Sequence, residues 1–349
     1  MHNRTIYALI DYKGNFESKY NAIPYKSGMD KNLLKKHFSA LDFEIVFIPF
    51  SEVINYPNNF WGDKMVIYTS SEDTGYWYKN FIEDIVYYLE LSNAKVIPSF
   101  KYLRANNNKV FMELIRHSLN DERVQNISSK VFGTFEEMNR VLSSFTYPLV
   151  YKLAAGAMSR GVGMAHTQKG LINKIKKISR TEQYFREYWE KGRALKYSGY
   201  IQESKYRKKF IIQDFKDGLN GDYKILIFGE KYYVLKRDAK KGDFRASGSG
   251  IRNFVKEIPN GILEYAYLCL KTLDVPNISI DLAYDGESFF LLEFQCVYFG
   301  SYTLTYSDFY WKRTENNNFE LIEGKSNLEE EYVRSIVKFS IRDEGTFCE

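Results

Sequence analysis

One stretch of the sequence carries residues whose types and order suit the binding of phosphate groups. Residues 147–164 form an apolar segment that ends in Lys152 and opens into a loop of small residues around Gly161. Glycine and alanine let backbone N–H groups approach phosphate oxygens closely, and a lysine supplies positive charge. The lysine precedes the glycines, which excludes a Walker loop, and no helix follows them, which excludes a Rossmann fingerprint. The stretch therefore predicts a phosphate-binding loop of another kind.

A second set of residues could hold a metal ion. Ile278 to Glu293 has the pattern of a β-hairpin around Asp285–Gly286, and it carries Asp281 and Glu293, followed by Gln295. Carboxylate and amide oxygens are the ligands that Mg²⁺ prefers. A two-residue turn would put Asp281 and Glu293 on opposite faces of the hairpin, whereas a three-residue loop, or another odd-length loop, puts all three side chains on one face. A magnesium site is therefore predicted only with an odd loop length.

In this order and spacing, the motifs resemble those of the ATP-grasp enzymes, most closely the branch of glutathione synthetase and ribosomal-modification ligases. The resemblance extends over roughly residues 109–300 and rests on several ordered elements. It departs from the family at Gln295, where asparagine is common, and near Ser247, where the family usually has asparagine. The residues it implies are, for the nucleotide, Lys109, Lys152, Ser159, Gly161, Gln213, Asp214, Phe215, Asp222 and Lys236; for magnesium, Asp281, Glu293 and Gln295; and for catalysis, Arg237 and Arg245.

The resemblance implies an ADP-forming ligase that depends on ATP and Mg²⁺. Such an enzyme activates a substrate carboxylate as an acyl phosphate and joins it to an amine, which forms an amide or peptide bond. The chemistry needs alignment and charge neutralisation more than a protein nucleophile. Two other functions stay open: a kinase on the same scaffold that phosphorylates a small-molecule hydroxyl, and a non-catalytic nucleotide-binding module. The expected substrates are small-molecule or peptide carboxylates and amines.

The expected fold class is α/β (α+β), an ATP-grasp fold preceded by a parallel α/β domain. Strands and helices alternate over the first hundred residues, which predicts a small parallel sheet. The expected parts are a pre-grasp domain at 1–104, a small lid subdomain with the glycine loop at 105–215, and a large subdomain with the magnesium site at 216–349. Residues 180–205 are predicted to be an inserted helical segment, and residues 238–250 a loop that closes over the phosphates.

Composition limits the cellular location and the binding partners that we expect. The net charge of +5 is spread over interleaved acidic and basic residues, which indicates an ordinary solvated surface and no nucleic-acid partner. Three cysteines without CxxC spacing predict reduced thiols and a cytoplasmic location. The sequence contains no apolar run long enough for a signal peptide or a membrane span. A homodimer is a possible assembly.

Overall fold

The computed structural model describes residues 4–16, 28–57, 59–71, 73–156, 161–219, 221–240, 245 and 249–342. The chain divides into two compact units, one made of residues 1–106 and 220–349 and the other of residues 107–219. The N-terminal and C-terminal segments therefore share one unit. The threefold division into 1–104, 105–215 and 216–349 stays a prediction.

The first unit begins with a four-stranded parallel sheet in the order β2–β1–β3–β4. Asp30 caps the first helix: its side chain accepts hydrogen bonds from the backbone N–H groups of Asn32 and Leu33, at 2.8 and 3.2 Å. These N–H groups have no partner inside the helix, so the cap stabilises its start. The parallel sheet with alternating helices that was predicted for this region is confirmed. Its elements are β1 (Arg4–Ile10), α1 (Lys31–Ser39), β2 (Phe43–Pro49), β3 (Met65–Tyr68), α2 (Trp77–Leu91), β4 (Lys95–Ile97) and α3 (Phe100–Ala105).

The second unit contains a four-stranded antiparallel sheet in the order β5–β8–β6–β7. Thr134 and Glu137 form a capping box at the start of a helix. The helix predicted in the inserted segment 180–205 is present. The elements are α4 (Lys109–Ser118), β5 (Ser129–Phe132), α5 (Phe135–Arg140), β6 (Leu149–Leu153), β7 (Val162–Ala165), α6 (Gln168–Ser179), α7 (Tyr184–Lys196) and β8 (Phe210–Asp214).

The first unit continues with a seven-stranded antiparallel sheet in the order β13–β12–β9–β10–β14–β15, in which β10 also pairs with β11. No helix in the described part of the chain is long and apolar enough to cross a membrane. The elements of this part of the first unit are β9 (Gly221–Phe228), β10 (Lys231–Asp238), β11 (Arg252–Phe254), α8 (Ile262–Leu273), β12 (Asn277–Tyr284), β13 (Phe289–Gln295), α9 (Tyr302–Tyr306), β14 (Phe309–Arg313), β15 (Phe319–Glu323) and α10 (Leu328–Ile341).

Each unit has its own core. In the first unit, one cluster joins the parallel sheet, the large sheet and α10; it includes Ile6, Phe38, Leu226 and Ile336, all fully buried. In the second unit, α5 and α6 pack on one face of the sheet through a separate cluster that includes Leu149, Leu171, Phe210 and Ile212.

Candidate functional site

In the second unit, the start of helix α4 is fixed to the stem of the small-residue loop. The backbone N–H of Lys109 donates to the carbonyl of Ala154 at 2.8 Å. The Nζ atom of Lys109 donates to the carbonyl of Gly156 at 2.9 Å, and the Gly156 N–H donates to Oδ1 of Asn107 at 2.9 Å. The predicted phosphate lysine therefore lies at the base of the predicted phosphate loop. The role of Asn107 was not predicted, although three consecutive asparagines before Lys109 mark the place.

The far end of the same loop requires glycine. Gly161 has a φ of +73°, and a Cβ atom there would lie 2.8 Å from the side chain of Leu153. Its carbonyl accepts a hydrogen bond from the Leu153 N–H at 2.9 Å, which closes the stem. A left-handed backbone with no room for a side chain is available only to glycine. Ser159 lies outside the described residues.

The strand registers place Lys152 and Gln213 on one face of the second unit's sheet. Lys152 is opposite Ile211 in β8, and Gln213, two residues further along β8, is therefore on the same side. Asp214 points to the other face and is exposed, and Phe215 follows the end of the strand, half-buried. Gln213 is 3% exposed, and its Nε2 has no hydrogen-bond acceptor among the described residues. An unsatisfied buried amide is costly, so a ligand acceptor would stabilise it.

In the first unit, the predicted metal and charge residues line one face of the large sheet. Asp222 pairs with Arg237, and Lys224 pairs with Asp281, which in turn pairs with Glu293. Residues directly opposite each other in antiparallel strands point to the same face. The face shared by these side chains carries Asp222, Lys224, Arg237, Ser279, Asp281, Glu293 and Gln295.

The hairpin that carries the acids corrects the predicted register. Tyr284 pairs with Phe289, which leaves an even loop of four residues, 285–288. A β-bulge follows Asp281 and shifts the register by one residue, so Asp281 pairs directly with Glu293. The requirement for an odd loop was wrong, because an extra residue in one strand changes the facing of everything beyond it. The three oxygen-bearing side chains still share a face.

Buried ion pairs hold Asp281 in place. Arg237 donates from Nε to Oδ1 of Asp222 at 2.6 Å, and its Nη2 lies 2.7 Å from Oδ2 of Asp281. On the other side, Lys224 Nζ lies 3.6 Å from Oδ1 of Asp281 and donates to Oγ of Ser279 at 2.6 Å. Oδ1 of Asp281 is buried and accepts no hydrogen bond from the described residues. That oxygen is available as a metal ligand.

The two carboxylates that share Arg237 differ in acidity. Burial raises the pKa of Asp222 to about 6; Arg237 opposes this effect and the charge of Asp281 adds to it. Burial also raises the pKa of Asp281, but the charges of Arg237 and Lys224 outweigh it, and the net shift is downward. As the pH falls, Asp222 is therefore protonated first, while Asp281 keeps the charge that a metal needs.

We expect Asp222→Asn to change stability in a pH-dependent way. The folded-state pKa of Asp222, about 6, lies above its ordinary value of 3.8, so its contribution to stability is present below pH 4 and is lost as the pH rises through 6. Asparagine keeps the acceptor for Arg237 without the buried charge. Between pH 4 and pH 7, the free energy of unfolding of the variant should rise relative to that of the wild type by on the order of 2–3 kcal/mol. Urea unfolding across this range measures the difference. Asp308→Asn, at an exposed position, is the control, and a pH-independent difference for Asp222→Asn would contradict the assignment.

One predicted residue is not brought to this face. Lys236 is next to Arg237 in β10, so its side chain points to the opposite face, and its Nζ lies 3.3 Å from Oδ1 of Asp238. Arg245 is half-buried, and the flanking residues 241–244 and 246–248 of the predicted closing loop lie outside the described residues. The roles of Lys236 and Arg245 stay predictions.

The whole chain is similar to solved structures of ATP-grasp enzymes. It matches D-cycloserine synthetase DcsG with a TM-score of 0.54 and 12% identity, over 96% of this chain and 99% of that chain. It matches the ADP complex of PurK, an N5-carboxyaminoimidazole ribonucleotide synthetase, with a TM-score of 0.52 and 10% identity, over 93% and 79%. It matches the ATP-grasp ligase PsnB, complexed with a minimal precursor, with a TM-score of 0.50 and 11% identity, over 97% and 99%.

The chain has the ATP-grasp fold, as the motifs predicted. No family profile matches the sequence, and no curated protein matches it. At 10–12% identity, these likenesses establish the fold, and the chemistry depends on the site itself.

Proposed function

We propose that the protein is an ADP-forming ligase that uses ATP and Mg²⁺ to join a carboxylate to an amine. The observation that carries the proposal is the sheet face on which Asp281, Glu293 and Gln295 lie together, despite a hairpin loop of even length. The synthetases and the ligase that share the fold support this class of reaction.

In the second unit, we assign the nucleotide to the face of Lys152 and Gln213. The buried Nε2 of Gln213 lacks an acceptor among the described residues, and the ring nitrogens of adenine supply acceptors. The backbone at Asp214 and Phe215 would pair with the base edge. Lys109 and Lys152 would hold phosphate oxygens, together with the loop that contains Ser159 and Gly161.

In the first unit, we assign Mg²⁺ to Asp281, Glu293 and Gln295. The set fits the ion because all three are oxygen ligands and Oδ1 of Asp281 accepts no hydrogen bond from the described residues. The proposed site has two carboxylates and one amide. It differs from a cluster of three or more His, Cys, Asp or Glu side chains, and no such metal-binding cluster occurs among the described residues. Mg²⁺ with few protein ligands retains water molecules as ligands and binds substrate phosphates. When bound, it would neutralise phosphate charge.

The reaction proceeds by two displacements. A carboxylate oxygen of the substrate attacks the γ-phosphorus of ATP and ADP leaves, which gives an acyl phosphate. The amine then attacks the carbonyl carbon, the C–O bond to phosphate breaks, and inorganic phosphate and a proton are released. Arg245 is assigned to the charge of the transferring group, and Arg237, which holds Asp222 and Asp281, keeps the metal carboxylate oriented.

We expect Lys152→Ala to raise the KM for ATP more than it lowers kcat. Lys152 would contact phosphate equally in the ground state and the transition state, and losing such uniform binding appears in KM. A rise of about tenfold or more is expected, because hydrogen bonds to charged groups contribute roughly 1.5–3 kcal/mol. Steady-state kinetics of ADP release measure it, with Lys169→Ala, at an exposed position in α6, as the control. An unchanged KM for ATP would show that Lys152 does not bind the phosphates.

The reaction class is tested by screening pairs of acids and amines for ADP release and identifying the products by mass spectrometry. A ligase releases ADP and forms an amide only when both the acid and the amine are present. ADP release with a hydroxyl compound alone, giving a phosphate ester, would establish the kinase instead. Tight ATP binding without turnover of any substrate pair would leave a nucleotide-binding module.

A further inference from the structure

Helix α7 of the second unit is bound to the protein through its polar side. Arg180 donates from Nη2 to both carboxylate oxygens of Glu187, at 2.8 and 2.9 Å. Glu190 is 5% exposed and accepts hydrogen bonds from the Tyr200 hydroxyl at 2.6 Å and from the Glu203 N–H at 3.3 Å. Both acids of the helix therefore point inward, where their charges are satisfied.

The opposite side of α7 is apolar and exposed. Surface helices normally turn their apolar stripe to the core, so this orientation is inverted. Phe185, Tyr188, Trp189 and Leu195 are spaced to lie along one side of a helix. They are 90%, 72%, 71% and 90% exposed. We call these four side chains the aromatic face.

The aromatic face is large enough to dock a peptide segment. With about 150–250 Å² for each aromatic side chain, its exposed area amounts to roughly 600 Å², compared with about 800 Å² for one partner's share of a standard protein interface. Contiguous exposed apolar patches of this size on soluble proteins mark interaction sites.

Positive charges accompany the rings. Lys191 Nζ lies 5.7 Å from the ring centre of Tyr188, and Lys196 Nζ lies 5.3 Å from that of Tyr197. The Arg193 guanidinium lies 5.9 Å from the ring centre of Trp189, and its Nη1 lies 3.8 Å from Oε1 of the inward-pointing Glu190. Because Glu187 and Glu190 point inward, the outward side of the helix presents cations and rings without an acid.

This charge pattern selects the kind of partner. In a symmetric dimer, the same patch meets itself, so a second copy would bring like charges together. A peptide with alternating acidic and apolar side chains complements both the rings and the cations. We propose that the aromatic face docks such an acidic, apolar peptide segment. The docking does not depend on the proposed ligase function.

Docking is tested by fluorescence anisotropy in the absence of ATP, with three labelled peptides. In the first, Glu alternates with Leu and Phe; in the second, Lys replaces each Glu; in the third, Ser replaces each Leu and Phe. We expect only the first to bind, with an affinity that weakens at high salt. Trp189→Ser should weaken binding about tenfold or more, since aromatic anchors dominate interfaces. Leu195→Ser should also weaken it, because it removes an exposed apolar side chain from the aromatic face. The double change Lys191→Glu and Lys196→Glu should also weaken it at least tenfold.

Leu91→Ser is the matched control, because Leu91 is also an exposed helix leucine, at 65%, and lies outside the aromatic face. It should leave peptide binding unchanged. Equal binding of the Lys-containing peptide, no binding of the Glu-containing one, or binding that Leu195→Ser does not alter would each overturn the proposal. So would a dimer in sedimentation that Leu195→Ser dissociates, or binding to phosphatidylserine vesicles alone. Anisotropy needs no turnover, so failed docking is distinguishable from a failed ligase assignment.

Discussion

Glu293→Ala is expected to abolish ADP formation while the protein stays folded. Glu293 is half-buried and lies directly opposite Asp281 across the bulge, so its loss removes one of two carboxylates from the proposed metal site. The charge of the triphosphate is then poorly neutralised in the transition state, and a rate loss of at least about 10²–10³ is expected. ADP release at saturating Mg²⁺ measures the effect.

The control is Glu287→Ala, at an exposed position in the loop of the same hairpin. It removes the same charge from the same hairpin but lies outside the proposed metal site, so turnover should stay near normal. Thermal unfolding of both variants checks that the fold is intact. Near-normal turnover of Glu293→Ala at saturating Mg²⁺ would contradict the metal assignment.

Arg237→Met is expected to be the most destabilising single change in the first unit's site. Arg237 is 8% exposed and pairs with both Asp222 and Asp281, so methionine would leave two buried carboxylates without their shared cation. Breaking a buried ion pair by removing one partner costs about 3–5 kcal/mol. Adding Asp222→Asn to Arg237→Met should recover part of this loss, because Asp281 is then the only carboxylate of the two that has lost its arginine, and Lys224 still lies 3.6 Å from it. Urea unfolding at neutral pH measures both variants.

Arg252→Met is the matched control for this prediction. Arg252 pairs with Arg237 in the neighbouring strand, but it is exposed and its guanidinium lies 5.1 Å from the ring centre of Tyr302. Exposed contacts of this kind contribute at most about 1 kcal/mol. A loss of less than about 1 kcal/mol in Arg237→Met would show that the ion pairs do not organise the site.

Features set by neighbouring residues could be predicted from the sequence. Asp30 and Thr134 cap helices where their types and spacing indicate, because a capping side chain reaches only the next turn of its own chain. The alternation of β10 is equally local. It places Lys236 and Arg237 on opposite faces, so the strand pattern alone could have separated these two candidates.

Features that depend on residues distant in sequence could not be predicted. The bulge after Asp281 depends on pairing with both β9 and β13, and nothing in the hairpin sequence indicates it. The shared role of Arg237 needs Asp222 and Asp281 to meet across three strands. The inverted orientation of α7 depends on Arg180 and Tyr200, which lie outside the helix, and its apolar pattern alone predicts burial of the face that is exposed.

The central claim is that the protein transfers phosphate from ATP to a carboxylate before an amine attacks. Isotope transfer from a substrate pair found in the screen tests it most directly. If the acid carries oxygen-18 in its carboxylate, we expect one labelled oxygen in the inorganic phosphate and one in the amide, because the C–O bond to phosphate breaks in the second step. Phosphate without the label, released as the amide forms, would contradict an acyl phosphate.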